Sequence, residues 1–341
     1  MLDESVNNPL MATSTSTSTP RTLRERWSDW RRRQYSRVFT EHWRIGIIDA
    51  PLQSLLLPGP LPPIRWVTPR DNAGYWADPF GLSGSKTHVY CERFDEQSGL
   101  GRIELLELKD GELQFVEAVD VQEAKGVRSS IGRGLHASFP HTFELDGQRY
   151  ALPETGASRD CVLYRVDDAG QWHSALTLLH GVAAADPALF RWRGLLWLAF
   201  TDVDIGTQDN LCLFYADRLQ GPWRPHTRNP VKTDLGGARM AGGFFEHEGV
   251  LYRPGMDCRG TYGAAVVIYR VEECSLRAYR ETAIRVIEPD RNGPLPDGLH
   301  TLSAWGDRTL VDGKRMIFNP RVLMRKLVQR LRAGRQRRLA E

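Results

Sequence analysis

Trp76-Ala77-Asp78-Pro79-Phe80 and Ala185-Asp186-Pro187-Ala188-Leu189-Phe190 are two copies of one phrase. Weaker copies stand at Ser138-Phe139-Pro140-His141-Thr142-Phe143, Ala241-Gly242-Gly243-Phe244-Phe245 and His300-Thr301-Leu302-Ser303-Ala304-Trp305. Each is followed by a Gly or polar turn and, in most copies, by a second apolar run, such as His88-Val89-Tyr90-Cys91-Glu92 or Leu195-Leu196-Trp197-Leu198-Ala199-Phe200-Thr201-Asp202. A third run follows in most copies, as in Val162-Leu163-Tyr164-Arg165-Val166. A unit of several antiparallel strands recurring at roughly 50 residues is the mark of a β-propeller blade. The repeats therefore predict an all-β, five-bladed β-propeller over 64–320. The phrase is read as the innermost strand, and the second run returns antiparallel to it. The start of the first strand and the end of the second then share one axial end. Asp78, Glu92, Glu154, Asp186, Asp202, Asp257 and His300 occupy those places, so they are expected at one mouth of the central channel.

The composition, 41% hydrophobic and 26% charged, is that of a soluble globular chain. No apolar stretch approaches the ~20 residues of a membrane-spanning helix. Met1–Pro20 is polar and Ser/Thr-rich, without the apolar segment of a signal peptide, and is expected to be disordered. The five cysteines are far apart and form no C-x-x-C pair, which reads as buried free thiols in a reducing cytoplasm. The net charge of +3 hides an asymmetry. Seven Lys/Arg fall in 21–40 and eight in 321–341, while the middle of the chain carries about −7. Residues 21–40 read as a basic helix bearing Trp27, Trp30, Tyr35 and Phe39, with a connecting segment to Pro63. Residues 321–341 read as a basic amphipathic helix with Val322, Leu323, Leu327 and Leu331 on one stripe. Such ends suit either plain solvation or contact with an anionic membrane surface. Nucleic acid is not expected as a partner, because no recognisable binding module accompanies them and the acidic middle repels phosphate. The expected location is cytoplasmic, peripheral on the inner membrane face.

Cleaving or transferring a glycosidic bond needs two carboxyl groups, one protonated to assist the leaving oxygen and one ionised to activate water or attack the sugar. A third carboxylate raises the acid by like-charge repulsion. Asp78, Glu154 and Asp186 are the candidate catalytic set, with Glu92 and Asp257 beside them. Trp76, Tyr75 and Tyr262 are candidate surfaces for sugar faces, and Arg239 and His300 candidate ligands for hydroxyls or a charged group. The competing reading of any one Asp-Pro is an Asx-type turn that satisfies backbone N–H groups. No P-loop, G-x-S-x-G, H-E-x-x-H or dinucleotide fingerprint is present.

The ordered motifs Trp76-Ala77-Asp78-Pro79-Phe80, Ser138-Phe139-Pro140, Pro153-Glu154, Asp186-Pro187, Gly221-Pro222-Trp223, Asn229-Pro230-Val231, Arg239-Met240-Ala241-Gly242, Leu251-Tyr252-Arg253-Pro254 and Gly298-Leu299-His300-Thr301 carry a resemblance. Over about 40–320 the chain resembles the N-terminal domain of plant glucosamine inositolphosphorylceramide transferase and its stand-alone bacterial relatives. That domain is similar in turn to the five-bladed propellers of glycoside hydrolase families 43, 32 and 68. The resemblance implies a carbohydrate-active propeller on a glycan or glycolipid substrate, with Asp78 as base and Asp186 tuning the acid. In the family 43-like pattern the acid is a Glu after the second Asp. Gly242-Gly243 stands there instead, leaving Glu154, Glu92 or Asp257 for the role. No cofactor is implied except Ca²⁺, which some relatives hold on the axis with a late-blade His, here His300. The alternative is a non-catalytic sugar-binding or scaffold propeller that serves a glycosyltransferase partner.

Overall fold

The computed structural model describes residues 39–67, 69, 74–121, 135–320 and 324. The expectations for residues 1–20, for nearly all of the basic helix 21–40 and for the tail 321–341 fall outside those residues.

The described chain folds into five antiparallel sheets arranged as propeller blades. The first blade takes 74–118, the second 138–180, the third 184–233 and the fourth 245–287. The fifth is ordered Leu302–Trp305, Arg308–Phe318, Phe39–Ile48, Ile64–Trp66 from the inside out. Middle strands are sandwiched between neighbouring blades and so bury both faces, which is why they read as unbroken apolar runs. In Leu195–Asp202 every residue from Leu196 to Thr201 is buried. Outer strands face water and turn polar: Tyr279–Ile287 buries only Ile287 fully.

Inner strands hold the ring together blade to blade. Ser303 Oγ donates to the Pro79 carbonyl at 2.5 Å, the amide of Leu189 donates to Nδ1 of His141 at 3.4 Å, and the amide of Leu302 donates to the Ala241 carbonyl at 2.8 Å. Phe190 and Phe244 stack at 3.9 Å between the third and fourth blades. The five cysteines are free and buried.

Two features depart from the sequence reading. Phe39 and Thr40, expected to end a helix, begin a strand that pairs with Arg308–Phe318 along its whole length. The propeller therefore starts at residue 39 rather than 64, and strands from both ends of the described chain close the last blade. The reason is burial on both faces, as in a middle strand: Ile45 and Ile47 pack into one core cluster and Ile48 into another. That run lies outside the repeated phrase. Pairing the two segments also covers what would otherwise be an open sheet edge. Second, Ala241-Gly242-Gly243 is not a regular innermost strand. Only Phe245–His247 is, with an isolated bridge from Met240 to Gly255.

Candidate functional site

The site grows from three matched irregularities. The inner strands of the first three blades break register between Ala77 and Phe80, between Ser138 and His141, and between Ala185 and Ala188. Inside each break the residue before proline is left-handed: Asp78 at φ 49°, Phe139 at 45° and Asp186 at 49°. A bulge of this kind takes an N–H off the sheet ladder, and proline has none to offer. A buried unpaired N–H costs about 1–3 kcal/mol. In all three blades a carboxylate from a neighbouring blade accepts it. The amide of Asp78 donates to Oδ2 of Asp312 at 3.0 Å, that of Phe139 to Oδ2 of Asp78 at 3.2 Å, and that of Asp186 to Oε2 of Glu154 at 3.0 Å. The packing of the ring thus gathers acids at one mouth.

Around Asp78 the environment is dry and hydrogen-bonded. Its Oδ1 accepts Thr301 Oγ1 at 2.7 Å and lies 3.6 Å from Nε2 of His300. Asp312 is fully buried and accepts four N–H groups: the amides of His300, Thr301 and Asp78, and Nδ1 of His300 at 2.6 Å. His300 is stacked on Trp43 at 3.9 Å, with Tyr262 edge-on at 5.4 Å. Burial works against its charge, but Asp312 and Asp78 outweigh it and raise the imidazole above its ordinary value. Burial pushes the Asp78 carboxyl up, against the pull of His300.

Across the mouth, Arg239 clamps Asp186 through Nε at 2.5 Å and Nη2 at 3.2 Å. The same guanidinium reaches Glu154 at 3.7 Å and faces the Tyr262 ring at 5.2 Å. Burial, reinforced by Glu154, pushes Asp186 up to about 7 despite the guanidinium. Glu92 is pushed far above the carboxylate range by burial and then by Asp78, Glu154 and Asp186. Asp78, Glu92, Glu154 and Asp186 therefore form one electrostatic cluster. Glu154 is the most open of them, its side chain 16% exposed against 3% for Asp186. Beyond them Phe80, Phe139 and His141 pack together, and His141 presses on Gly243 of the fourth blade. A cavity of about 580 Å³ lined by Phe143, Arg191, Phe245 and Trp305 lies at the opposite axial end, away from the acids.

The ring brings together Asp78, Glu92, Glu154, Asp186, Arg239, Tyr262 and His300. Others among the expected residues are placed differently. Trp76 is not a sugar platform: it is 4% exposed, sits in the core between the first and fifth blades, and donates Nε1 to Glu104 at 2.9 Å. Its alternation along the strand turns it away from the channel. Asp257 is bound by its near neighbour Arg259 through Nε at 3.1 Å and Nη2 at 2.8 Å. Tyr75 stacks on Phe94 at 4.9 Å. Asp202 caps the turn amide of Asp204 at 3.0 Å. His300 is 3% exposed and serves Asp78 and Asp312 rather than standing open to a ligand. Gly242 and Gly243 explain the missing acid. A Cβ on Gly242 would run into the Leu302 carbonyl, and one on Gly243 into the His141 ring. Sequence reasoning missed Asp312, Trp43 and Lys314. Lys314 is wholly buried beside Trp43 and donates to Glu41 at 2.7 Å and to the Tyr262 carbonyl. No motif marks them; the signal of Asp312 and Lys314 is a charged residue inside a largely buried strand.

Asp78, His300 and Asp312 offer ligand atoms within 4.8 Å of one another. They do not fit Ca²⁺, which takes about 6–8 oxygens. Both oxygens of Asp312 are filled by N–H donors, and one of those donors is His300 itself. The group that sits between the two carboxylates is the imidazole itself.

A protein family described as glucosamine inositolphosphorylceramide transferase 1, N-terminal, matches residues 116–293. Glucosamine inositolphosphorylceramide transferase 1 of Oryza sativa subsp. japonica is 34% identical over 170 residues, which is 48% of this chain and 23% of that protein. The Arabidopsis thaliana protein of the same name is 32% identical over 230 residues, 65% of this chain and 29% of that one. The chain thus spans under a third of the length of these relatives. Among solved structures, Zg3597, a family 117 glycoside hydrolase of Zobellia galactanivorans, aligns with TM-score 0.46 at 13% identity over 68% of this chain and 74% of its own. The exo-β-1,3-galactanase 1,3Gal43A of Clostridium thermocellum aligns with TM-score 0.47 at 13% identity over 62% and 52%. With more than half its length matched by the family and its five blades in place, this chain belongs to the family of glucosamine inositolphosphorylceramide transferase 1 N-terminal domains.

Proposed function

We propose that the acidic mouth binds a sugar of a glycan or glycolipid precursor and catalyses glycosyl hydrolysis or transfer. The observation that carries this reading is the clustering of four carboxyl groups from three blades beside the Arg239–Tyr262 pair, with Asp186 and Glu92 pushed upward and Glu154 open to the mouth. Asp78 is the base or nucleophile. Its oxygens are fixed by Thr301 and the Phe139 amide, so the carboxylate does not have to be ordered when substrate arrives. Glu154 is the acid. Its proton passes to the leaving oxygen as the glycosidic bond breaks, and the Asp186 amide, donating to Oε2 at 3.0 Å, holds the carboxyl in place. Arg239 orients Asp186. No step runs through a metal ion.

A second reading is favoured by a specific observation: Asp78 and Glu154 both spend an oxygen on a neighbour's backbone. The propeller is then a non-catalytic sugar-binding module serving a glycosyltransferase partner. Either way, the proposed location is the cytoplasm, at the inner membrane face. Turnover of labelled glycans and lipid-linked sugars separates the two. The catalytic reading expects turnover that falls about 10²–10⁴-fold in Asp78→Asn. Sugar binding without turnover by the unaltered protein would leave the second.

A further inference from the structure

The geometry points to a membrane-docking face at the acidic mouth, formed where both basic segments of the chain leave the propeller, with an anionic phospholipid bilayer as its partner. This goes beyond the carbohydrate reading and does not depend on it.

The argument starts from the last blade. Phe39 is register-paired with Phe318, their rings 6.4 Å apart, so the strand ends from which the chain continues before 39 and after 318 lie side by side. The axial end at which they lie is fixed by what precedes Phe318. Asp312 binds the amide of Asp78, Lys314 binds Thr261 and Tyr262, and Asn319 donates to Glu96 at 2.6 Å in the turn after Asp95. All of these lie at the mouth end. Residues 21–38 hold seven Lys/Arg and residues 321–341 eight, so the two stretches that continue from these strand ends carry fifteen cationic side chains. Trp27, Trp30, Val322, Leu323, Leu327 and Leu331 are interspersed among them.

The described surface adds an independent observation. Val203, Ile205, Leu235 and Phe318 are 37%, 56%, 45% and 56% exposed. Val203 and Ile205 lie in the turn after Asp202, whose Thr207 carbonyl accepts Arg239 at 2.6 Å. Leu235 accepts the amide of Cys258, next to Asp257. These apolar side chains therefore rim the same face. Clustered cations draw a protein to anionic headgroups, and apolar groups beside them enter the interface. The mouth itself is acidic, so charge alone would turn it away from lipid. The basic segments reverse that preference, and the paired strand ends from which they continue make the mouth the side that looks at the bilayer.

The test uses the full chain and vesicles of phosphatidylcholine with or without phosphatidylglycerol. Because every native cysteine is buried, a single introduced thiol takes a fluorophore selectively. Ile205→Cys puts the label at the mouth and Leu276→Cys puts it at the opposite end. Binding is expected only with phosphatidylglycerol and is expected to weaken with salt. Lipid-borne quenchers should reach the label of Ile205→Cys and spare that of Leu276→Cys. Joint replacement of Arg31, Arg32 and Arg33 by Gln, or of Arg335, Arg337 and Arg338 by Gln, should each weaken binding roughly a hundredfold. Any of three results overturns the inference: no dependence on phosphatidylglycerol, equal or reversed quenching, or binding indifferent to the arginines. Failure of vesicle binding with the basic segments protected from protease would assign them instead to the propeller's own acidic mouth. No sugar enters the assay, so its failure leaves the carbohydrate reading standing.

Discussion

Nδ1 of His300 lies 2.6 Å from Oδ2 of Asp312, and that same oxygen accepts the amide of Asp78 at 3.0 Å. One wholly buried carboxylate thus fixes the imidazole and the bulge that carries the candidate base. Removing one partner of a buried charge pair costs about 3–5 kcal/mol, because the other is left uncompensated. Asp312→Ala is expected to lose stability in that range by urea unfolding, with Asp312→Asn between it and the unaltered protein. A loss under about 1 kcal/mol, the scale of a surface ion pair, would contradict the role given to Asp312.

Glu154 and Glu92 are separable by their surroundings. Gln in place of Glu154 cannot give a proton to a leaving oxygen, so turnover should fall about 10²–10⁴-fold with stability nearly unchanged. Glu92 is buried and pushed far above the ordinary range, which favours its neutral form, and Gln is close to isosteric. Glu92→Gln should leave both thermal stability and turnover near the original. The reverse pattern, Glu92→Gln inactive and Glu154→Gln active, would move the acid to Glu92.

The stability that Asp186 supplies should fall between about pH 4 and 7, the window between the ordinary aspartate value and its raised one. Asp186 is raised to about 7 by burial and then Glu154, so the folded chain holds its proton more tightly than the unfolded chain. That contribution is complete below the unfolded value and is lost as pH rises through 7. His300, also raised, acts with the same sign. His141, lowered to about 3 by burial, has the opposite sign up to about pH 6.5, and it contributes equally to the protein and to its Asp186→Asn variant. Asp186→Asn should flatten the decline, which chemical denaturation across pH would register. A decline as steep in the variant as in the original would exclude Asp186 as its source.

Gly242 is at φ 149° against the Leu302 carbonyl. Gly242→Ala adds both strain and a backbone clash, with an expected cost of about 1–3 kcal/mol or more. Thermal unfolding within a degree of the original would show that the fourth inner strand is looser than its packing indicates.

The repeat was legible because a propeller states its blade again and again. Asp-Pro, an apolar return strand and a third run at fixed spacing suffice to announce five sheets and one axial end rich in acids. Asp78, Glu154 and Asp186 follow from that register alone. Trp76 was misplaced because a strand sends successive side chains to opposite faces, and one residue decides between channel and core.

The sequence by itself determined the fold class, the axial end where acids collect and the basic character of both ends, since these depend on periodicity and composition along the chain. Tertiary structure alone decided that Phe39–Ile48 closes the last blade, that Asp312 is the buried support of Asp78 and His300, and that the strand ends Phe39 and Phe318 lie together at the mouth. The pairings of Phe39 with Phe318 and of Asp78 with Asp312 join residues more than two hundred positions apart. Local propensity is blind to them, because what selects each partner is burial and an unsatisfied N–H on a neighbouring blade.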